Sequence, residues 1–150
     1  MKPQFTVFIH VSRPVAEVFG AVVDPAKLSA YFTTGGASGW LETGGTVTWD
    51  FHDFPGAFPV EVVEVVPSER IALRWGTNDG DEQFQTDVVF AFSPLDDGKR
   101  TKVDVSESGW PDTDSARKAS YSNCMGWSQM LCALKAWMEH GVNLREGAYK

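Results

Sequence analysis

The feature that most constrains the fold is a period-two alternation of apolar and polar residues that extends from Gly35 to Ser108. Val47 and Trp49 show it, with polar residues on either side of each. Successive side chains of a strand point to opposite faces, so each alternating segment predicts a strand with one buried face. Turn-forming residues separate these segments, at Gly44-Gly45, Pro67-Ser68, Asn78-Asp79-Gly80 and Asp96-Asp97-Gly98. The stretch therefore predicts an antiparallel meander with one face buried and one face in water.

Two further segments of the chain predict strands. Gln4 to Val11 alternates loosely, and Val60 to Val66 is rich in valine, although its paired valines obscure which residues face inward. Ser12-Arg13-Pro14 then predicts the start of a helix, with apolar residues at helical spacing from Val15 to Val22. Asp24-Pro25 ends that helix and predicts a second short one, which carries Leu28 and Tyr31.

The last part of the chain predicts one long amphipathic helix. It begins near Asp114, ends at His140 and is closed by Gly141. At 100° per residue its apolar side chains share an arc of about 140°. They are Cys124, Trp127, Met130, Leu131, Leu134, Trp137 and Met138. The expected fold class is therefore α+β, with a six- or seven-stranded antiparallel sheet wrapped around the terminal helix.

Composition limits the classes of function. With 150 residues, of which 43% are hydrophobic, the chain is expected to form a single domain with a sizeable core. Thirteen Lys and Arg against 20 Asp and Glu give a net charge of −7, which disfavours nucleic acids and anionic membranes as partners. No secretory signal or membrane-spanning run is recognised, so a cytoplasmic location is expected.

No cofactor, metal or catalytic residue is predicted. The two cysteines, Cys124 and Cys132, are about 12 Å apart on one helix, too far for a disulfide, and show no zinc-ligand spacing. The glycine pairs are not followed by the residues of a phosphate loop, and no nucleophile elbow is present. His52 and Asp53 are adjacent and so point to opposite faces of extended chain, which predicts a solvated loop. The acidic residues 79–82 lack the spacing of a calcium loop and are also expected to be solvated.

Together, the order of these elements and several short motifs resemble the START-like helix-grip (SRPBCC) superfamily. More narrowly, the chain is similar to homologues of the heat-shock-protein-90 ATPase activator. The matching segments are RPVAEVF at 13–19, VDPAKL at 23–28, VEVVPSERI at 63–71, GKRTKV at 98–103 and the Gly126-Trp127 pair. This resemblance implies one helix-grip domain over residues 1–150, in which a curved sheet encloses the long helix and leaves an apolar cavity. Members of the superfamily carry lipids or plant hormones, act as polyketide aromatases or cyclases, or activate the chaperone.

An excess of aromatic residues indicates where such a cavity would lie. The inward phase of the strands places rings at Trp49, Phe51, Trp75, Phe90 and Phe92, opposite Trp127 on the helix. These rings can form either a close-packed core or the wall of a ligand pocket. The predicted ligand-binding set adds Asn123, Met130 and Leu131 on the helix. If Glu107 continues the inward face of its strand, it supplies a polar group at the mouth of the cavity; otherwise it is a solvated carboxylate at the end of the sheet.

Three hypotheses about function follow. The favoured one is non-enzymatic binding of a small hydrophobic or aromatic molecule. The second is an enzyme of the aromatase or cyclase type, which requires Glu107 and Asn123 to converge on one cavity. The third is a protein-interaction module with a chaperone or a second copy of the chain as partner, which predicts an exposed apolar patch rather than a pocket.

Overall fold

The computed structural model describes residues 1–54, 56–79 and 82–149. Parts of the predicted turn at residues 78–80 and of the acidic loop 79–82 lie outside these ranges. The strands are β1 (Phe5–Val11), β2 (Gly36–Ser38), β3 (Thr46–Asp50), β4 (Phe58–Val66), β5 (Arg70–Asp79), β6 (Glu82–Leu95) and β7 (Arg100–Ser108). The helices are α1 (Val15–Val23), α2 (Pro25–Tyr31) and α3 (Asp114–His140).

All seven strands form one antiparallel sheet in the order β1-β7-β6-β5-β4-β3-β2. Strand β1 thus pairs with β7, with Phe5 opposite Glu107, while the other neighbours follow one another along the chain. The alternation predicted the meander correctly. It did not show β2, which has three residues and pairs only with β3.

The valine-rich strand β4 contains an irregularity that explains its unclear sequence pattern. The register with β5 shifts between Val62 and Glu64, so Val63 has no opposite residue there and is exposed. A bulge of this kind places two residues of one strand against one of its partner. Strict alternation therefore cannot extend through β4.

Capping residues fix the helix boundaries, and two of them, Asp24 and Gly141, were predicted. The side chain of Asp24 accepts a hydrogen bond from the backbone nitrogen of Ala26 over 2.9 Å, which fixes the start of α2. The side chain of Thr113 caps α3 in the same way, and Gly141 ends that helix with a φ of 68°. Sequence analysis predicted the extent of α3 correctly.

Helix α3 packs against one face of the sheet, and the core lies between them. Trp127, Met130, Leu131 and Leu134 of the predicted apolar arc are buried, while its other members are half-buried. Lys135 donates a hydrogen bond to the backbone carbonyl of His10 over 2.8 Å and so joins the helix to β1. The architecture is the predicted helix-grip fold. Along the described residues, no helix is long and apolar enough to cross a membrane.

Candidate functional site

A cavity of about 320 Å³ lies between strands β3 to β5 and the middle of α3. Its volume falls within the range of small-molecule sites, roughly 300–1,000 Å³. The lining residues come from the segments after α2 and β3, from β4 and β5, from α3 and from the segment after α3. They are Phe32, Phe51, Asp53, Phe54, Phe58, Trp75, Gly76, Thr77, Ser122, Asn123, Met125, Gly126, Trp127, Gln129 and Arg145.

The wall of the cavity is built from aromatic rings that hold one another in place. Trp75 on β5 and Trp127 on α3 have ring centroids 5.3 Å apart. Phe58 lies 5.6 Å from Trp75, and Phe51 lies 5.8 Å from Phe58. Each ring has few rotatable bonds and is in contact with its neighbours, so the wall of the cavity is preformed.

Two exposed lining side chains mark where the cavity meets the surface. Phe54, in the segment between β3 and β4, is 51% exposed, and Met125 on α3 is 60% exposed. Because both residues also line the cavity, the cavity is open to the surface beside each of them.

The predicted aromatic set divides into wall and core. Phe51, Trp75, Asn123 and Trp127 line the cavity. The remaining predicted residues are buried, and the structure places them in the core rather than along the lining: Trp49, Phe90, Phe92, Met130 and Leu131. Trp49 and Phe90 lie edge-on to the Trp127 ring, with centroids 6.5 and 5.4 Å away, and so support the wall from behind. Part of the predicted set thus lines a cavity, and part belongs to the close-packed core.

Glu107 lies neither at the mouth of the cavity nor in water, the two positions that were predicted for it: it is behind the wall, with 1% of its surface exposed, because the side chains that donate to it surround its carboxylate. It continues the inward face of β7, on which Thr101, Val103 and Val105 are also buried. Four side chains donate hydrogen bonds to its carboxylate, and these form five donor–acceptor contacts. Oε2 accepts from Trp75 Nε1 over 3.0 Å and from Thr86 Oγ1 over 2.6 Å. Oε1 accepts from Trp127 Nε1 over 2.8 Å. Asn123 Nδ2 lies 3.2 Å from Oε1 and 3.0 Å from Oε2.

Burial is the main influence on the charge of this group. Removal of the carboxylate from water raises the pKa of Glu107 above its usual range, while the hydrogen bonds from Thr86, Trp75, Trp127 and Asn123 act in the opposite direction. Its hydrogen-bonding partners carry no positive charge. The carboxyl group behind the cavity wall is thus held by hydrogen bonds from uncharged side chains.

Arg145 is one of the lining residues that the sequence analysis missed. It follows α3, is 4% exposed, and places its guanidinium carbon 5.7 Å from the ring centres of Phe32 and Phe51 and 4.5 Å from that of Tyr149. Its Nη2 donates to Asp53 over 3.2 Å, while its buried Nε has no partner among the described residues. Asp53 lies in an exposed loop, as expected, and also forms an ion pair with Arg145 in the segment after α3.

Phe32, Phe54 and Phe58 were also missed as lining residues. Phe32 follows a helix, Phe54 lies between strands, and Phe58 begins the strand with the register shift. At such positions periodicity does not indicate which way a side chain points. The abundance of phenylalanine was the only available signal.

A single long helix held against a seven-stranded antiparallel sheet, with an aromatic cavity between them, defines a START-like helix-grip protein. Comparison with family models narrows the class. Residues 12–139 match the model of the family described as activator of Hsp90 ATPase homolog 1-like protein, and the chain belongs to that family. The predicted resemblance is thereby confirmed. A comparison with curated protein sequences gives no match.

Solved structures agree with this assignment. A protein from Staphylococcus saprophyticus is 26% identical, with a TM-score of 0.77, over 95% of this chain and 96% of its own. DynU16, a protein of the dynemicin biosynthetic locus, is 26% identical with a TM-score of 0.75, over 95% of this chain and 49% of its own. The present chain thus spans about half of DynU16. The Aha1 dimer from Colwellia psychrerythraea has the same fold, with 20% identity, a TM-score of 0.74, and coverage of 93% of this chain and 98% of its own.

Proposed function

We propose that this chain binds a small hydrophobic or aromatic molecule in the cavity between the sheet and α3, without catalysing a reaction. The observation that carries the proposal is the preformed aromatic wall around about 320 Å³, open to the surface beside Phe54 and Met125. Apolar surface of this kind gains free energy when a ligand displaces its water.

The volume of the cavity favours a compact ligand. About 320 Å³ is near the lower end of the range for small-molecule sites, roughly 300–1,000 Å³. Flat rings such as Trp75 and Trp127 present faces and edges that pair well with another aromatic ring. A molecule with one or two fused rings suits this space better than a long acyl chain.

An enzyme of the aromatase or cyclase type is the second candidate, because Asn123 lines the cavity and contacts Glu107. Similarity to a protein of a biosynthetic locus adds support for it. A general acid must come within hydrogen-bonding distance of its substrate, however. Glu107 is separated from the cavity by the side chains that donate to it, so binding without catalysis agrees better with the geometry.

Interaction with a chaperone is the third candidate, and it is supported by the description of the family. Self-association is supported in turn by the dimeric relative from Colwellia psychrerythraea. Phe8, Trp40 and Tyr121 are exposed, but they belong to three different elements, β1, the segment after β2, and α3. These exposed side chains therefore support the third candidate less than the cavity supports the first.

A cytoplasmic location is part of the proposal and is supported by the two free cysteines, Cys124 and Cys132.

Two measurements test the binding proposal. Native mass spectrometry of protein purified gently from its own host is expected to reveal a bound apolar molecule of low mass. Isothermal titration calorimetry with naphthalene derivatives is expected to show binding with a negative heat-capacity change, as burial of apolar surface requires. A bare mass, together with no heat of binding from any derivative, would reject the proposal.

A matched pair of variants locates the binding site. Gly126 lines the cavity, and a Cβ atom added there meets nothing within 4 Å, so Gly126→Leu is expected to fill the cavity and abolish binding. Ser128→Leu adds a leucine at an exposed position of the same helix, outside the lining residues, and is expected to leave binding unchanged. Equal affinities of the two variants would place the ligand elsewhere. If only a chaperone or a second copy of the chain is bound, the third candidate replaces the first.

A further inference from the structure

The polarity of the ligand can be inferred from the groups around Glu107, provided that the proposed binding function is correct. Trp75 donates its indole N–H to Oε2 over 3.0 Å, and Trp127 donates to Oε1 over 2.8 Å. An indole nitrogen can donate a hydrogen bond but cannot accept one. Both oxygens of Glu107 are therefore fixed as acceptors by groups that cannot reverse their role.

This arrangement determines how the amide of Asn123 is turned. Its Nδ2 lies 3.0 and 3.2 Å from the two carboxylate oxygens of Glu107. Rotation of the amide by half a turn would bring Oδ1 against the same two oxygens, and lone pairs would then face a negative charge. The carboxylate thus holds the NH₂ group toward itself and directs Oδ1 away.

Oδ1 is consequently the atom with which Asn123 can meet a ligand. No described residue donates a hydrogen bond to it, and Asn123 lines the cavity together with Trp75 and Trp127. From this geometry we infer that the cavity selects aromatic molecules that donate a hydrogen bond, through a hydroxyl or N–H group received by Asn123 Oδ1, over molecules that only accept one. Glu107 is the positioning residue for this selection.

Other polar groups of the lining are less suited to receive the ligand's donor. Thr77 Oγ1 already accepts a hydrogen bond from Trp110 Nε1 over 3.0 Å, and Asp53 accepts from Arg145. Ser122 is exposed on α3, and the amide of Gln129, which also lines the cavity, is held in place by no hydrogen bond from a described residue. Asn123 is the lining group whose acceptor is oriented by the buried carboxyl group of Glu107. A ligand carbonyl or ether oxygen beside Asn123 Oδ1 would therefore leave two acceptors facing each other.

Three probes of similar shape test the inference in the wild-type protein. These are 2-naphthol, which can donate a hydrogen bond, 2-methoxynaphthalene, which can only accept one, and naphthalene, which can do neither. Calorimetry near neutral pH is expected to show that 2-naphthol binds about 3- to 10-fold more tightly than the methoxy compound, the usual range for one hydrogen bond. Equal affinities for the three probes would overturn the inference and leave the binding function intact. Absence of binding by all three would reject the binding function itself.

Variants assign the preference to the two residues. Asn123→Ala is expected to bring the affinities for 2-naphthol and 2-methoxynaphthalene together, while Ser128→Ala, at an exposed position of the same helix outside the lining, keeps them apart. Glu107→Gln frees the amide of Asn123 to turn and is expected to reduce the preference or reverse it. A preference that survives in Asn123→Ala would contradict the assignment.

A measurement on the unaltered protein covers the case in which these variants do not fold. In a ¹⁵N-resolved NMR spectrum, 2-naphthol is expected to shift the side-chain NH₂ signals of Asn123 more than 2-methoxynaphthalene does. Equal shifts with both probes would overturn the inference.

Discussion

Trp127 on α3 donates its indole N–H to Glu107 on β7 over 2.8 Å, so one hydrogen bond joins the middle of the long helix to the sheet behind the cavity. The same indole ring lines the cavity and lies 5.3 Å from Trp75. The side chain therefore has two roles. Its nitrogen donates to a buried carboxyl group, and its ring lines the cavity.

Substitution of Trp127 separates these two roles. Trp127→Phe keeps most of the ring but leaves Glu107 without one donor, and is expected to lower the free energy of unfolding by about 1–3 kcal/mol. Trp127→Ala also removes the packed ring, enlarges the cavity and is expected to cost about 3–5 kcal/mol and change ligand selectivity. Chemical denaturation measures both values. Trp137→Phe is the control, because Trp137 stacks on Tyr31 and has no contact with Glu107. Equal losses for Trp127→Phe and Trp137→Phe would show that the hydrogen bond contributes little.

The buried carboxyl group of Glu107 predicts a specific pH dependence. Its pKa in the folded protein is raised above the ordinary value of 4.5, chiefly by burial, so the folded state holds this proton more tightly than the unfolded state. The contribution of Glu107 to stability is then fully present below pH 4.5 and is lost as the pH rises through the raised pKa. Glu107→Gln has no such proton. We therefore compare the free energies of unfolding of the wild type and of Glu107→Gln. The value for the wild type minus that for the variant is expected to fall as the pH rises from 4.5 to the raised pKa, by at most about 1.4 kcal/mol per pH unit. Groups common to both proteins cancel, and a difference that grows with pH would contradict the assignment.

Much of the framework could be predicted from the sequence because it rests on local signals. Helical spacing placed Asn123 and Trp127 on the apolar side of α3, and alternation along β7 allowed an inward position for Glu107 without deciding it. That these three side chains meet depends on the register between β5, β6 and β7 and on the position of α3 along the sheet. No short-range pattern contains that information.

The cavity itself could not be predicted in the same way. Phe90 and Trp75 follow the same alternation, yet Phe90 lies in the core while Trp75 lines the cavity. The difference arises from how far α3 and the segment after it cover each strand. Arg145 lies in that segment, outside any periodic pattern, so its burial between rings had no sequence signal.

Arg145 is expected to be held more by its aromatic surroundings than by its ion pair. Asp53 is 35% exposed on its side chain, and the contact from Nη2 is 3.2 Å, so Asp53→Asn is expected to cost no more than about 1 kcal/mol. Arg145→Ala removes a buried cation from Phe32, Phe51 and Tyr149 and is expected to cost about 2 kcal/mol or more. Thermal or chemical denaturation gives both values. Arg145→Lys keeps the charge without the planar group, and is expected to behave more like Arg145→Ala. If Asp53→Asn is as damaging as Arg145→Ala, the ion pair is the dominant interaction.

Gly109 directly follows β7 and is expected to be needed for the position of the buried carboxylate. Its φ of 111° lies in a region that L side chains rarely adopt, and an added Cβ would lie 3.2 Å from the carbonyl oxygen of Gln85 and 3.3 Å from Cα of Thr86. Gly109→Ala is therefore expected to destabilise the protein by about 1–3 kcal/mol. Thr86 donates to Glu107, so a backbone shift there is also expected to weaken binding of 2-naphthol.

Gly126→Ala is the matched control for this prediction. Gly126 lies within α3, where an added Cβ meets nothing within 4 Å, so alanine is expected to stabilise the helix by about 0.5–1 kcal/mol. Denaturation curves for the two variants should therefore shift in opposite directions from the wild type. Gly109→Ala with wild-type stability would mean that the end of β7 relaxes freely, and that the position of Glu107 does not depend on the backbone at this glycine.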